Sequence, residues 1–248
     1  MLLNIISSLS AKLFFVIMYM GGTMIKEKLY KLLDEKKDAK YRDFSKKLTP
    51  GDFTMLGVRV PDMRKIAKNL TIEERESIIK LECDDIFEFK LIRGLVVADI
   101  KDVDKYKYEF ERFLPLIDNW AICDIFIGSS KIIKKDLEYF FQRCTELIKK
   151  DDEFLNRVAF VILLNYYLID EYIDKTFDLI KDFKSDKYYA NMALGWLISY
   201  LYIKYPTKTQ EFLTNCNLDK TVLKMGIRKI KDSYRVSPEN KEWLKKIG

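Results

Sequence analysis

Trp120 and Asp124 stand four residues apart in Leu116-Ile117-Asp118-Asn119-Trp120-Ala121-Ile122-Cys123-Asp124. On a helix that spacing puts both on one face, one turn apart. An indole and a carboxylate so placed can surround a cation from two sides, the ring with its π-face and the acid with its charge. A plainer reading stays open: Asp118 caps a helix, Trp120 is half buried in core and Asp124 is solvated. Arg157 precedes the apolar run Val158-Ala159-Phe160-Val161-Ile162-Leu163-Leu164. A charge there needs a partner or an anion, or else it snorkels from the helix's first turn. Pairing with Asp124 would explain both residues structurally. Trp196, in Met192-Ala193-Leu194-Gly195-Trp196-Leu197-Ile198, is either core or a second π-surface. Cys123 and Trp243 read as packing.

These residues must be carried by helices. Apolar residues recur at helical spacing over about 38–48, 61–70, 84–100, 104–117, 119–133, 135–149, 152–168, 170–183, 187–204, 207–215, 219–231 and 237–247. Thr49-Pro50-Gly51-Asp52 is a turn, and Gly57-Val58-Arg59-Val60-Pro61-Asp62 is an extended piece feeding a helix that has Pro61 in its first turn. Thr71-Ile72-Glu73-Glu74 has the form of a capping box. No strand-like alternation of useful length occurs. Helices with short joints form either a bundle or a solenoid. Trp120 to Arg157 is 37 residues, Arg157 to Trp196 is 39, and Trp196 to Arg235 is 39. That step matches the roughly 40-residue period of HEAT-like helix pairs. Residues one period apart then line one surface, so an all-α solenoid is expected.

Composition narrows the chemistry. The 248 residues are 48% hydrophobic with only Gly 9 and Pro 5, which suits a helical core and disfavours a turn-rich β fold. Histidine is absent, which removes the usual general base and the commonest metal ligand. Cys83, Cys123, Cys144 and Cys216 form no Cys-x-x-Cys pair, so neither a zinc site nor a disulfide framework is expected. Net charge is +6, with nine Lys/Arg against three Asp/Glu between Lys220 and Gly248. The whole excess lies in that end, which suits a polyanion such as nucleic acid, though a solvated helix pair would look the same. Residues 1–23 form an apolar extension about long enough to span a membrane. It lacks a basic start and a clear cleavage site. The expectation is an upstream read-in with translation from Met24, a membrane anchor being the alternative, and one repeat domain over 24–248.

Asp118-Asn119-Trp120-x-x-x-Asp124, Arg157 ahead of its apolar run, Gly195-Trp196, and Arg228-Lys229-Ile230-Lys231-Asp232-Ser233-Tyr234-Arg235-Val236-Ser237 together resemble the AlkD-like DNA alkylation repair family. Gly57-Val58-Arg59-Val60-Pro61-x-x-Arg64 is similar to that family's early motif. The likeness runs from about Met24 to the C-terminus. It implies a curved stack of HEAT-like repeats with a concave face that cradles duplex DNA. It also implies hydrolysis of the N-glycosidic bond of purines alkylated at ring nitrogen three or seven, without deep base flipping. By motif match the site residues are Trp120, Asp124, Trp196 and Arg157, the last holding a phosphate. Lys224, Arg228, Lys229 and Arg235 would meet further phosphates. A cationic base leaves without a general acid, so the missing histidine is no obstacle. No cofactor or metal, a monomer, no stable membrane association and a cytoplasmic site of action are expected. A catalytically silent repeat protein that binds DNA or a protein partner is the alternative from a different class.

Overall fold

Short polar side chains ahead of apolar runs cap about half of the described helices, because the first N–H groups of a helix need acceptors from outside it. The computed structural model describes residues 23–81 and 85–245; the apolar stretch up to residue 22 lies outside the described residues. The chain divides into two compact units, one ending at Leu116 and one spanning Ile117–Gly248. Among the described residues every regular element is helical, and the only bridge recorded is the isolated pair Thr54–Ile86. No helix among them is long and apolar enough to cross a membrane.

In the first unit, residues 23–34 form α1. Then follow α2 (Ala39–Leu48), α3 (Val60–Lys68), α4 (Ile72–Ile79), α5 (Phe87–Ala98) and α6 (Val103–Phe113). Asp38 caps α2 by accepting the Tyr41 N–H at 3.0 Å. Thr71 and Glu74 form the expected capping box at α4. The helix expected over 104–117 ends its α-turns at Phe113 and tightens into a 3-10 turn, Leu114–Leu116, around Pro115. Proline has no N–H to continue the ladder.

The link into α3 is held in a way its own residues do not reveal. Glu88 of α5 is fully buried. Its carboxylate accepts the backbone N–H groups of Leu56, Gly57 and Val58 at 2.8–3.2 Å. Gly57 has φ +95, and a Cβ there would lie 2.5 Å from the Asp38 carbonyl oxygen. Only glycine fits that turn without strain.

The second unit runs α7 (Trp120–Ser129), α8 (Leu137–Ile148), α9 (Glu153–Tyr166), α10 (Asp170–Ile180), α11 (Tyr188–Lys204), α12 (Pro206–Asn215), α13 (Lys220–Asp232) and α14 (Pro238–Lys245). The cap of α7 is Asn119, not Asp118. Asn119 has extended backbone angles and its side chain accepts the Ile122 N–H at 3.0 Å. Asp118 is occupied instead with the Asn119 side-chain amide at 2.8 Å. The helix expected over 119–133 stops at Ser129 and continues as a 3-10 segment, Lys131–Lys135. Ser129 and Ser130 hydroxyls donate back to the Ile125 and Phe126 carbonyls at 2.6 and 2.8 Å, which competes with the ladder.

Within this unit α7, α9, α11 and α13 pack side by side in chain order. Ring contacts link α8 to α10 (Phe141–Tyr172, centroids 5.2 Å) and α10 to α12 (Phe177–Phe212, 5.0 Å), making a second layer. α9 is flanked by α7, α8 and α11 and is buried almost all round, from Asn156 to Leu164. A helix that is apolar all round belongs in such a position. This is the layer order of an α-solenoid, with odd-numbered helices in one layer and even-numbered helices in the other.

Helices α11 and α13 approach each other closely. A Cβ on Gly195 would lie 3.1 Å from the Gly226 nitrogen and 3.2 Å from the Met225 Cβ. Gly195→Ala is therefore expected to push the two backbones apart and to lower the unfolding free energy by about 1–3 kcal/mol. Urea denaturation measures it, and an unchanged midpoint would contradict this packing.

Candidate active site

Asn119 fixes the first turn of α7, and so fixes where Trp120 points. Trp120 begins the helix and Asp124 follows one turn later on the same face. Trp120 is half-buried, and Asp124 keeps 19% of its side-chain surface exposed. Opposite Asp124, on α9, lies Arg157, whose side chain is only 8% exposed. Arg157 Nε donates to Asp124 Oδ1 at 2.9 Å and Nη2 donates to Oδ2 at 2.8 Å. This is the parallel two-bond geometry in which a guanidinium best matches a carboxylate. Arg157 Nη1 donates to the Tyr189 carbonyl of α11 at 3.0 Å. Three neighbouring helices thus meet at one guanidinium.

Burial is the largest influence on the Asp124 carboxyl and raises its pKa above the ordinary 3.8. The Arg157 hydrogen bonds and charge, the Cys123 thiol and the Lys229 charge all pull it back. Burial also works against the Arg157 charge, but the bonds to Asp124 outweigh it and the guanidinium is held protonated more firmly than usual. Both carboxylate oxygens accept N–H groups, so the pair is carboxylate against guanidinium at neutral pH. Cys123 beside it is fully buried, which pushes its thiol well up and makes it a packing residue.

The remaining sequence-selected residues lie on α11, α13 and the turn that follows. Trp196 of α11 is half-buried, with its ring edge-on to Tyr200 at 6.0 Å. Tyr200, one turn further, carries the Arg235 guanidinium over its face at 4.8 Å. Arg235 itself sits in the turn between α13 and α14. Lys224 and Arg228 are exposed on α13, and Lys229 is half-buried on the same helix. The structure therefore joins Asp124 directly to Arg157, brings the Lys229 charge to bear on Asp124, and ties Arg235 to Trp196 through Tyr200. Among the described residues no group of His, Cys, Asp or Glu is placed to hold a metal ion.

Residues 25–230 match a family model described as DNA alkylation repair enzyme. The chain belongs to the DNA alkylation repair enzyme family. No curated protein matches it. The matched span takes in Trp120, Asp124, Arg157, Trp196 and Lys229 of this chain, and stops short of Arg235. Sequence reasoning missed three participants: Glu153, which accepts the Tyr189 N–H at 2.6 Å, the Tyr189 carbonyl and Tyr200. Tyr200 lies four residues after Trp196, and Glu153 four before Arg157, so helical spacing was the signal for both. A backbone carbonyl leaves no such signal.

Removing Arg157 leaves a buried carboxylate uncompensated. Arg157→Ala should cost about 3–5 kcal/mol at neutral pH. Arg157 pulls the Asp124 pKa down, so its loss raises that pKa above the wild-type value. The variant's extra penalty is full while Asp124 is ionised and fades as pH falls through the variant's higher pKa toward the wild-type one. The deficit against wild type should therefore shrink between pH 7 and pH 4 in urea unfolding. A deficit that is constant or grows on acidification would contradict the assignment.

Proposed function

We propose that this chain hydrolyses the N-glycosidic bond of cationic alkylated purines, of the 3-methyladenine or 7-methylguanine type, in duplex DNA. The observation that carries the reading is the Asp124 carboxylate, held ionised by Arg157 and one helical turn from Trp120. Such a base already bears a positive charge, so its departure needs no proton donor. The bond from the sugar C1′ to the base nitrogen breaks, its electron pair neutralises the base, and positive charge develops on the sugar. Asp124 stabilises that charge and orients a water. The water adds to C1′ and gives up one proton to solvent.

Trp120 and Trp196 offer π-faces to the cationic base and sugar, each worth about 0.5–2 kcal/mol. Arg157 takes the role of holding Asp124, since three of its nitrogens are already engaged in the free protein. Phosphate contacts fall to Lys224, Arg228, Lys229 and Arg235. Both the π-faces and the acid can act on a lesion lying against an open face, so deep flipping into a pocket is not required.

A second reading has one observation in its favour. The Asp124–Arg157 pair is satisfied without any ligand, as in a catalytically silent relative that binds DNA or a protein partner. Release of methylated purines from alkylated duplex DNA separates the two. Wild type is expected to release base, and Asp124→Asn to lose about 10²–10³-fold in rate. Wild-type release should also fall on the acid side with an apparent pKa above that of an ordinary aspartate, because the ionised form acts. Equal release by both proteins would remove Asp124 from the mechanism; no release by either would favour the silent binder.

A further inference from the structure

One stretch of α9 grips a single residue of α11 from three directions. Glu153 Oε1 accepts the Tyr189 N–H at 2.6 Å. Arg157 Nη1 donates to the Tyr189 carbonyl at 3.0 Å. The Phe154 and Tyr189 rings stack, with centroids 5.8 Å apart and planes 26° from parallel. Glu153 and Arg157 lie four apart on α9, hence one turn apart on one face. They take both polar backbone groups of the same residue.

The location gives this grip its effect. Tyr189 is in the first turn of α11, where an N–H has no acceptor within its own helix. Glu153 supplies one from outside and so fixes the backbone of that turn. The Tyr189 carbonyl is then held for Arg157 Nη1. With one edge of the planar guanidinium anchored, its other two bonds are directed at the two oxygens of Asp124. The nearby Lys187–Asp151 pair, at 3.5 Å, joins the same helix ends, but Asp151 is almost fully exposed and such a contact adds little.

We propose that Glu153 is a positioning residue for the Asp124–Arg157 pair and acts through the backbone of Tyr189. Its effect on reaction rests on the role given above to Asp124; its effect on Arg157 does not. Glu153 is expected to work as a hydrogen-bond acceptor, so a glutamine, whose amide oxygen can also accept, should replace it.

The experiment follows the Arg157 Nε–H by 15N-resolved NMR of the full chain, with Arg157→Lys to assign the signal. Solvent exchange of this proton should quicken about tenfold in Glu153→Ala and stay within about twofold of wild type in Glu153→Gln. Tyr189→Phe should leave it unchanged, because both hydrogen bonds use the backbone and the ring stack survives. If Glu153→Ala does not fold, Glu153→Asp, which keeps the charge but shortens the reach, should show the same quickening. Base release should drop with the exchange effect, in kcat rather than KM, and recover in Glu153→Gln. Wild-type exchange in the alanine or aspartate variant, or glutamine as damaging as alanine, would overturn the proposal. Exchange is read without activity. Loss of Arg157 protection together with release indifferent to Asp124→Asn would therefore uphold the Glu153 device and reject the Asp124 mechanism.

Discussion

The two-bond ion pair between Asp124 and Arg157 is the interaction on which the site depends. Neither charge could remain in that place alone. An ionised aspartate between packed helices is unfavourable unless a cation neutralises it, and a guanidinium on a helix as apolar as α9 is no better off. Joined, they cross from α7 to α9, and the third Arg157 bond continues to α11. The pair therefore fixes the register of three neighbouring helices and leaves a partly exposed carboxylate at their surface. A structural role and a chemical role are not alternatives in this geometry. Under the proposed reaction, a carboxylate that stabilises a developing cation is useful only if it is held still and kept ionised, and Arg157 is placed to serve both conditions.

The helices around the pair have compositions that suit their places in the layers. α9 and α11 lie inside the layer and are apolar on nearly every side, so their position is set by packing. α13 approaches α11 closely because glycine faces glycine at 195 and 226, and that approach brings the Lys229 charge toward Asp124. Beyond it, Arg235 rests on Tyr200, and Tyr200 on Trp196. The basic end of the chain is thus tied to the aromatic part of the site by ring contacts and by helix packing together.

Much of this was legible from residue types. Apolar spacing located the helices, and the separation of about 40 residues between Trp120, Arg157 and Trp196 marks every second helix, which is the layer they share. The Trp120–Asp124 face followed from the four-residue step alone. Other features were hidden for physical reasons. Asp118 and Asn119 are both good caps, and only the backbone conformation decides between them. Glu88 reads as an ordinary acid in a helix's first turn, yet it accepts N–H groups some thirty residues earlier in the chain. The pairing of Arg157 with Asp124 was one of several possibilities, since sequence does not say which anion a buried arginine meets. The Tyr189 backbone could not be foreseen, because every residue carries the same peptide group.

The central claim is that Asp124 and Arg157 act as one unit in base release. A double-mutant cycle on the single-turnover release rate from methylated duplex DNA, using Asp124→Asn, Arg157→Gln and the two together, tests it most directly. A unit predicts that the double variant is about as slow as the slower single variant, because the second change removes nothing further. Losses that multiply would mean two independent contributions and would contradict the account.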